Sequence, residues 1–127
     1  MDGDTIIADG LRIRLIGIDA PESVKPGSPV ECWGPESSAA LHDLLLPGST
    51  VLLERDVERR DRYGRELAWV WTGDPLELTE VTLAKAGDVR ALVVPPNGRH
   101  ADLVAAAVAE AAAAHRGLWS GCEANGP

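Results

Sequence analysis

The feature that most constrains this chain is a short β-prone run, Thr5–Ala8, joined through Asp9-Gly10 to an alternating run, Leu11–Ile18. Asp-Gly between two such runs is the strongest short-range hairpin signal a sequence carries. In the second run Leu11, Ile13 and Leu15 fall on one face, with Arg12, Arg14 and Ile16 on the other. That is the period-two pattern of a half-buried strand. The fold therefore begins with a hairpin that turns arginines and apolar groups to opposite sides. Asp19-Ala20-Pro21-Glu22 follows at once. Pro21 keeps Ala20 out of the helical region, so the strand leaves through an extended corner carrying two carboxylates.

Further along, Ser23–Glu31 reads as a loop. Glu36–Leu46 reads as a helix with an apolar stripe of Ala39, Ala40, Leu41, Leu44 and Leu45, stopped by Pro47-Gly48. Thr50–Asp56 and Leu67–Thr72 read as strands flanking a charged turn, Arg59–Arg65. Leu78–Ala86 reads as a short helix closed by Gly87, and Val89–Val94 as either a strand or an extended segment. Pro95–Gly98 is a loop, and His100–His115 an Ala-rich helix halted at Gly117. The 127 residues suit a single domain over 1–127, and no apolar run approaches the roughly 20 residues of a membrane span. Short strands interleaved with helices give an α+β class, a small barrel with appended helices fitting best. With Phe absent and one Tyr, the core must come from Leu, Val, Ile, Ala and four Trp.

The formal charge of −8 taken alone argues against a nucleic-acid partner, since phosphate binding rests on a basic surface. A carboxylate cluster holding a metal accounts for part of the excess and a solvated acidic surface for the rest. Cys32 and Cys122 lie 90 residues apart, which excludes a CxxC motif. They are either two unrelated thiols or one disulfide, the latter worth about 4 kcal/mol on loop entropy. Three segments stand out for chemistry: Asp2-Gly3-Asp4-Thr5, the run Arg14–Glu22, and Arg59–Arg65 with four arginines in seven residues. Each has a plain structural reading, as a turn, an amphipathic strand with a polar exit, and an exposed hairpin. Arginine's planar fork also suits the third to phosphate.

Taken in order, these segments resemble the staphylococcal nuclease family. The resemblance runs through Asp2–Thr5, Ile13–Glu22, Glu31-Cys32-Trp33-Gly34, Leu52–Asp56, Asp61–Val70, Leu83–Gly87 and Gly117-Leu118-Trp119, collinearly and over nearly the whole chain. It implies a five-stranded OB-type barrel with about three helices and a Ca²⁺-dependent nuclease acting on DNA and RNA. It implies Asp4, Asp19 and the backbone carbonyl of Ala20 as Ca²⁺ ligands. Glu22 is then the general base, Arg14 and Arg65 the phosphate-binding arginines, and Arg62 and Tyr63 contacts to a nucleotide phosphate. Cys32 and Cys122 resemble a disulfide pair of other bacterial relatives, which favours a secreted or surface protein whose signal peptide lies upstream of Met1.

The chain departs from the family pattern at several points. The family has a barrel strand before the Asp-Gly-Asp-Thr turn, and here that turn begins at residue 2. The expectation is a missing or truncated first strand, with a monomer unless a partner supplies it. Base-stacking tyrosines are replaced by Ala91-Leu92-Val93-Val94-Pro95, so weaker substrate binding is expected, or a Trp in their place. A non-catalytic OB-type binding module and an inactive truncated nuclease are the competing readings. His42 is expected on a solvated helix face, while His100 and His115 bound the last helix. Trp33, Trp69, Trp71 and Trp119 are expected in the core. Glu54 and Asp56 read as strand ends, with a supporting role near the metal as the alternative.

Overall fold

A computed structural model describes residues 2–23 and 29–122. Residues 24–28 of the expected loop lie outside the described residues, as does Met1. The leading hairpin forms where the sequence places it. β1 (Thr5–Ala8) and β2 (Leu11–Leu15) pair antiparallel, Thr5 opposite Arg14 and Ala8 opposite Leu11. Asp9 and Gly10 both take positive φ, 50° and 79°, the backbone a two-residue hairpin turn with the right twist demands. Ile13 and Leu15 are fully buried, as the alternation requires, whereas Leu11 is exposed at the hairpin tip.

The spine of the sheet is β5 (Glu66–Thr72). β2 runs parallel to its first half, with Arg14 opposite Leu67. A parallel pair needs a long crossover, here supplied by α1 (Gly34–Leu44) and β4 (Leu52–Glu54). β4 pairs antiparallel with β5, and β6 (Glu77–Leu78) pairs with Trp71 and Thr72 beyond the stretch that β2 occupies. A second ribbon joins β3 (Ile18–Asp19) to β7 (Arg90–Ala91), which resolves the ambiguous 89–94 segment as a very short strand. α2 (Thr79–Lys85) and α3 (Ala101–Ala113) pack on each other and close the core around Trp69, Leu83, Ala84, Val89, Val104 and Ala107.

Two findings differ from the sequence reading. α1 starts at Gly34 rather than Glu36, because Pro35 fits the first turn, where its missing N–H costs nothing. A fourth helix, the single turn α4 (Leu118–Gly121), follows Gly117, so the described residues hold four helices where about three were expected. The sheet order is β1-β2-β5-β4, with β1 and β4 outermost on that path. A cavity of about 1140 Å³ opens between β1, α1 and residues 47–51.

One fully buried carboxyl group needs explanation. Glu80, at the start of α2, is fully buried, and its carboxyl group accepts the Val70 N–H at 3.1 Å. That N–H lies on β5 between the residues paired with β2 and those paired with β6. The side chain thus satisfies a backbone donor the sheet leaves over. Burial pushes the Glu80 carboxyl up to about 8, against the opposing pull of the backbone donor.

Candidate active site

The corner after β2 brings three of the anticipated side chains together. Arg14 is largely buried, and its Nη2 lies 3.4 Å from Asp4 Oδ2 and 4.0 Å from Asp19 Oδ1. Its Nη1 donates to the Leu15 carbonyl, fixing the guanidinium against its own strand. Asp4 is placed by the turn before β1, which the Leu15 N–H ties down through the Asp4 carbonyl at 2.8 Å. Asp4 Oδ2 also accepts the Ala20 N–H at 2.9 Å, so the Ala20 main chain joins the group as well. Asp4 is buried, whereas the Asp19 side chain is 59% exposed, and the pair opens to solvent on the Asp19 side.

The charges here are not balanced. Partial burial and the neighbouring Asp4 carboxylate push the Asp19 carboxyl up, Glu31 adds to that, and Arg14 and Arg90 oppose it. Carboxylates held side by side against their repulsion are the arrangement a cation relieves. Two carboxylates beside the Ala20 main chain offer hard oxygen donors, which suit Ca²⁺ and would leave its remaining positions to water and phosphate. No group of three or more His, Cys, Asp or Glu side chains placed to hold a metal ion is found among the described residues.

Glu22 sits three residues beyond Asp19, and its backbone is clamped. Its N–H donates to Glu31 Oε1 at 2.8 Å, and its carbonyl accepts the Glu31 N–H at 2.9 Å. Gly34 presses against the same carbonyl, so closely that a Cβ there would collide with it. Next to Glu31, Cys32 is bonded to Cys122 (S–S 2.05 Å), and the Trp33 indole donates to Asp88 at 2.9 Å. The base of the Glu22 loop is thereby fastened to the C-terminal helix turn. Glu31 was not singled out from sequence, because it stands beside Cys32 in a loop with no periodicity to place it.

The arginine-rich turn is a separate assembly. Arg65 Nε pairs with Asp61 Oδ2 at 2.7 Å, and Asp61 Oδ1 accepts the N–H groups of Tyr63 and Arg65. These donors hold the Asp61 carboxyl below its ordinary range despite some burial. Arg62 and Arg65 lie over the Tyr63 ring, at 5.0 and 5.5 Å from its centroid, and Arg62 also donates to the Tyr63 hydroxyl. Tyr63 is exposed. Arg55 and Arg60 both pair with Glu66 and so serve the hairpin itself. Arg65 therefore engages its own turn rather than the Asp4–Arg14–Asp19 group, while its strand neighbour Leu67 stands opposite Arg14.

The remaining candidates are structural. The Glu54 carboxylate accepts the Trp71 indole at 2.9 Å and lies 2.8 Å from His100 Nε2. Asp56 accepts the Trp69 indole and the Arg99 N–H. The His100 ring meets Trp69 and Trp71 edge-on. Trp69 is fully buried, Trp33, Trp71 and Trp119 are half-buried, and His42 is exposed. Leu92, Val93 and Val94, at the positions of the absent tyrosines, are exposed.

The family model described as staphylococcal nuclease homologue matches residues 12–121. A thermonuclease of Staphylococcus intermedius is 43% identical over 123 residues, covering 94% of this chain and 71% of the relative. A thermonuclease of Staphylococcus hyicus is 40% identical, covering 94% of this chain and 72% of the relative. Endonuclease YncB of Bacillus subtilis is 34% identical over 125 residues, 58% of its own length.

Proposed function

The chain belongs to the staphylococcal nuclease family and is a nuclease hydrolase, and on that premise we propose a Ca²⁺-dependent endonuclease of DNA and RNA. It prefers single-stranded or frayed stretches and leaves 3′-phosphate ends. The observation that carries this reading is the convergence of Asp4, Arg14 and Asp19 at one solvent-open corner. Asp4, Asp19 and the Ala20 carbonyl would hold the Ca²⁺. When bound, the ion offsets carboxylate repulsion and offers positive charge to the phosphate.

The residues then divide the work. Glu22 accepts a proton from a water that attacks phosphorus in line, a role worth typically 10²–10⁴-fold in rate. The bond from phosphorus to the 5′ oxygen breaks, and the departing oxygen takes up a proton. Arg14 and Arg65 donate to the phosphoryl oxygens, answering the charge that builds there. For Arg65 this means exchanging Asp61 for phosphate as substrate arrives. Arg62 and Tyr63, at the exposed tip of the turn, contact a flanking phosphate. The disulfide supports action in an oxidising setting, secreted or at the cell surface.

Digestion of heat-denatured DNA and of RNA, with Ca²⁺ or with chelator, tests the reading. Wild type should cut both only with Ca²⁺, and the new 5′-hydroxyl ends should accept phosphate directly from a polynucleotide kinase lacking 3′-phosphatase, while the 3′ ends resist polymerase extension until dephosphorylated. Glu22→Gln and Arg65→Ala should each lose at least about 10²-fold. A folded wild type as inert as Glu22→Gln overturns it.

A further inference from the structure

The mechanism above leaves one guanidinium beside the carboxylate corner unused. Arg90 on β7 stands directly opposite Asp19 on β3, and facing residues of an antiparallel pair put their side chains on the same face. Arg90 is exposed. Six arginines, Arg14, Arg55, Arg60, Arg65, Arg99 and Arg116, have carboxylate partners, whereas Arg90, like Arg12, Arg59 and Arg62, has none within ion-pair distance among the described residues. Its guanidinium instead lies 5.3 Å from the centroid of the Trp119 ring. Stacking of this kind holds a guanidinium without neutralising it, and leaves its in-plane N–H donors to a second partner.

The ring beneath it is firmly built in. Trp119 belongs to α4, whose Leu118 is buried and donates its N–H to the Gly87 carbonyl at 2.8 Å. Gly121 packs on Trp33, and Cys122 is bonded to Cys32. Trp33 donates to Asp88, two residues before Arg90. The support under Arg90 and the clamp on the Glu22 loop are therefore fastened by the same bridge.

We propose that Arg90 is a further substrate-binding residue that grips a backbone phosphate next to the scissile one, with Trp119 as its positioning residue. This rests on the nuclease reading above. In a chain of net charge −8, an unpaired cation held at the rim of the site supplies grip that the exposed Leu92-Val93-Val94 stretch lacks.

The test measures binding of a ten-nucleotide oligodeoxythymidine over a salt series with chelator present, and its cleavage with Ca²⁺, for wild type, Arg90→Gln, Arg90→Lys and Trp119→Leu. Each phosphate contact on a single strand contributes about 0.7 to the slope of log affinity against log salt. Arg90→Gln should lower that slope by about 0.7 and raise KM several-fold, more than it lowers kcat. Arg90→Lys should restore the slope, and Trp119→Leu should fall between. An unchanged slope and KM in Arg90→Gln overturns the proposal, and so does a shift confined to the Ca²⁺ midpoint, which would mean Arg90 acts only on Asp19. A wild type that binds but never cuts sinks the nuclease reading while the slope still decides Arg90. One that neither binds nor cuts sinks both.

Discussion

Two acidic regions of this molecule use the same side chains to opposite ends. On the β4–β5 face, Glu54, Asp56, Asp61 and Glu66 all lie below their ordinary carboxyl range, because indoles, backbone N–H groups, His100 and arginines donate to them. At the β2–β3 corner Asp19 is raised, by burial first and then by Asp4. The first region satisfies its carboxylates internally, so their charge supports the fold. The second leaves the Asp19 charge only partly answered by Arg14 and Arg90, so Asp19 costs stability there and awaits a ligand. Acidic residues in this chain are told apart by what donates to them, not by how many lie close together.

The largest expected effects come from breaking the unsatisfied side. Asp19→Asn should cost at least about 10² in cleavage rate, and Glu22→Gln about 10²–10⁴. Asp19→Asn should nonetheless melt no lower than wild type without Ca²⁺, since it removes a repulsion. A lowered Tm in Asp19→Asn would place Asp19 with the structural carboxylates and undo the comparison. Next in size is the disulfide that fastens the Glu22 loop. Cys32→Ser should cost about 4 kcal/mol by urea unfolding, on loop entropy for a closure of this length. Loss under about 1 kcal/mol would mean that the Trp33–Asp88 and Gly34–Glu22 contacts hold that corner alone.

On the satisfied side, Asp56→Ala strands the indole N–H of the fully buried Trp69 and the Arg99 N–H, and should cost about 1–3 kcal/mol at neutral pH. Because the native Asp56 carboxyl is lowered, its contribution is present above the ordinary value of 3.8 and is lost as pH falls through the native one. The gap between wild type and Asp56→Ala should therefore narrow in acid. Melting curves from pH 7 down to pH 2 that keep a constant gap would show that packing, not charge, is what Asp56 provides.

Much of this was legible in the sequence because it is local. Asp9-Gly10 fixes a turn, the alternation from Leu11 fixes a face, and Pro21 fixes a corner, so Arg14 and Asp19 arrive at the β2–β3 exit on backbone chemistry alone. What was not legible depends on contacts distant in sequence. Glu31, Asp88 and Arg90 carry no pattern of their own, and they matter only because residues 22 and 31 hydrogen-bond, Trp33 reaches Asp88, and β7 lies beside β3. The α4 turn was missed because Gly117 reads as a stop, and four residues hold no periodicity. Arg65 was assigned from resemblance, and nothing in residues 61–65 alone announces that Asp61 would hold it.

Glu80 bounds the comparison. Its carboxyl is raised, as at Asp19, and burial is the largest cause in both, yet at Glu80 a backbone donor of the sheet already occupies it. A raised carboxyl is thus a sign of an awaiting ligand only where no donor of the fold already occupies it. The sign of its pH dependence follows from linkage. The native group holds its proton up to about 8, while the unfolded one releases it near 4.5. Stability from this residue is therefore full below pH 4.5 and drains away as pH rises through the window, by up to about 1.4 kcal/mol per pH unit. Glu80→Gln keeps an acceptor for the Val70 N–H and has nothing to ionise, so it should gain on wild type steadily between pH 5 and pH 8, while cleavage by the two at pH 6 stays within about two-fold. Urea midpoints for the two proteins at four pH values measure this directly, and parallel lines would show that Glu80 is ionised in the fold, its charge answered by the sheet.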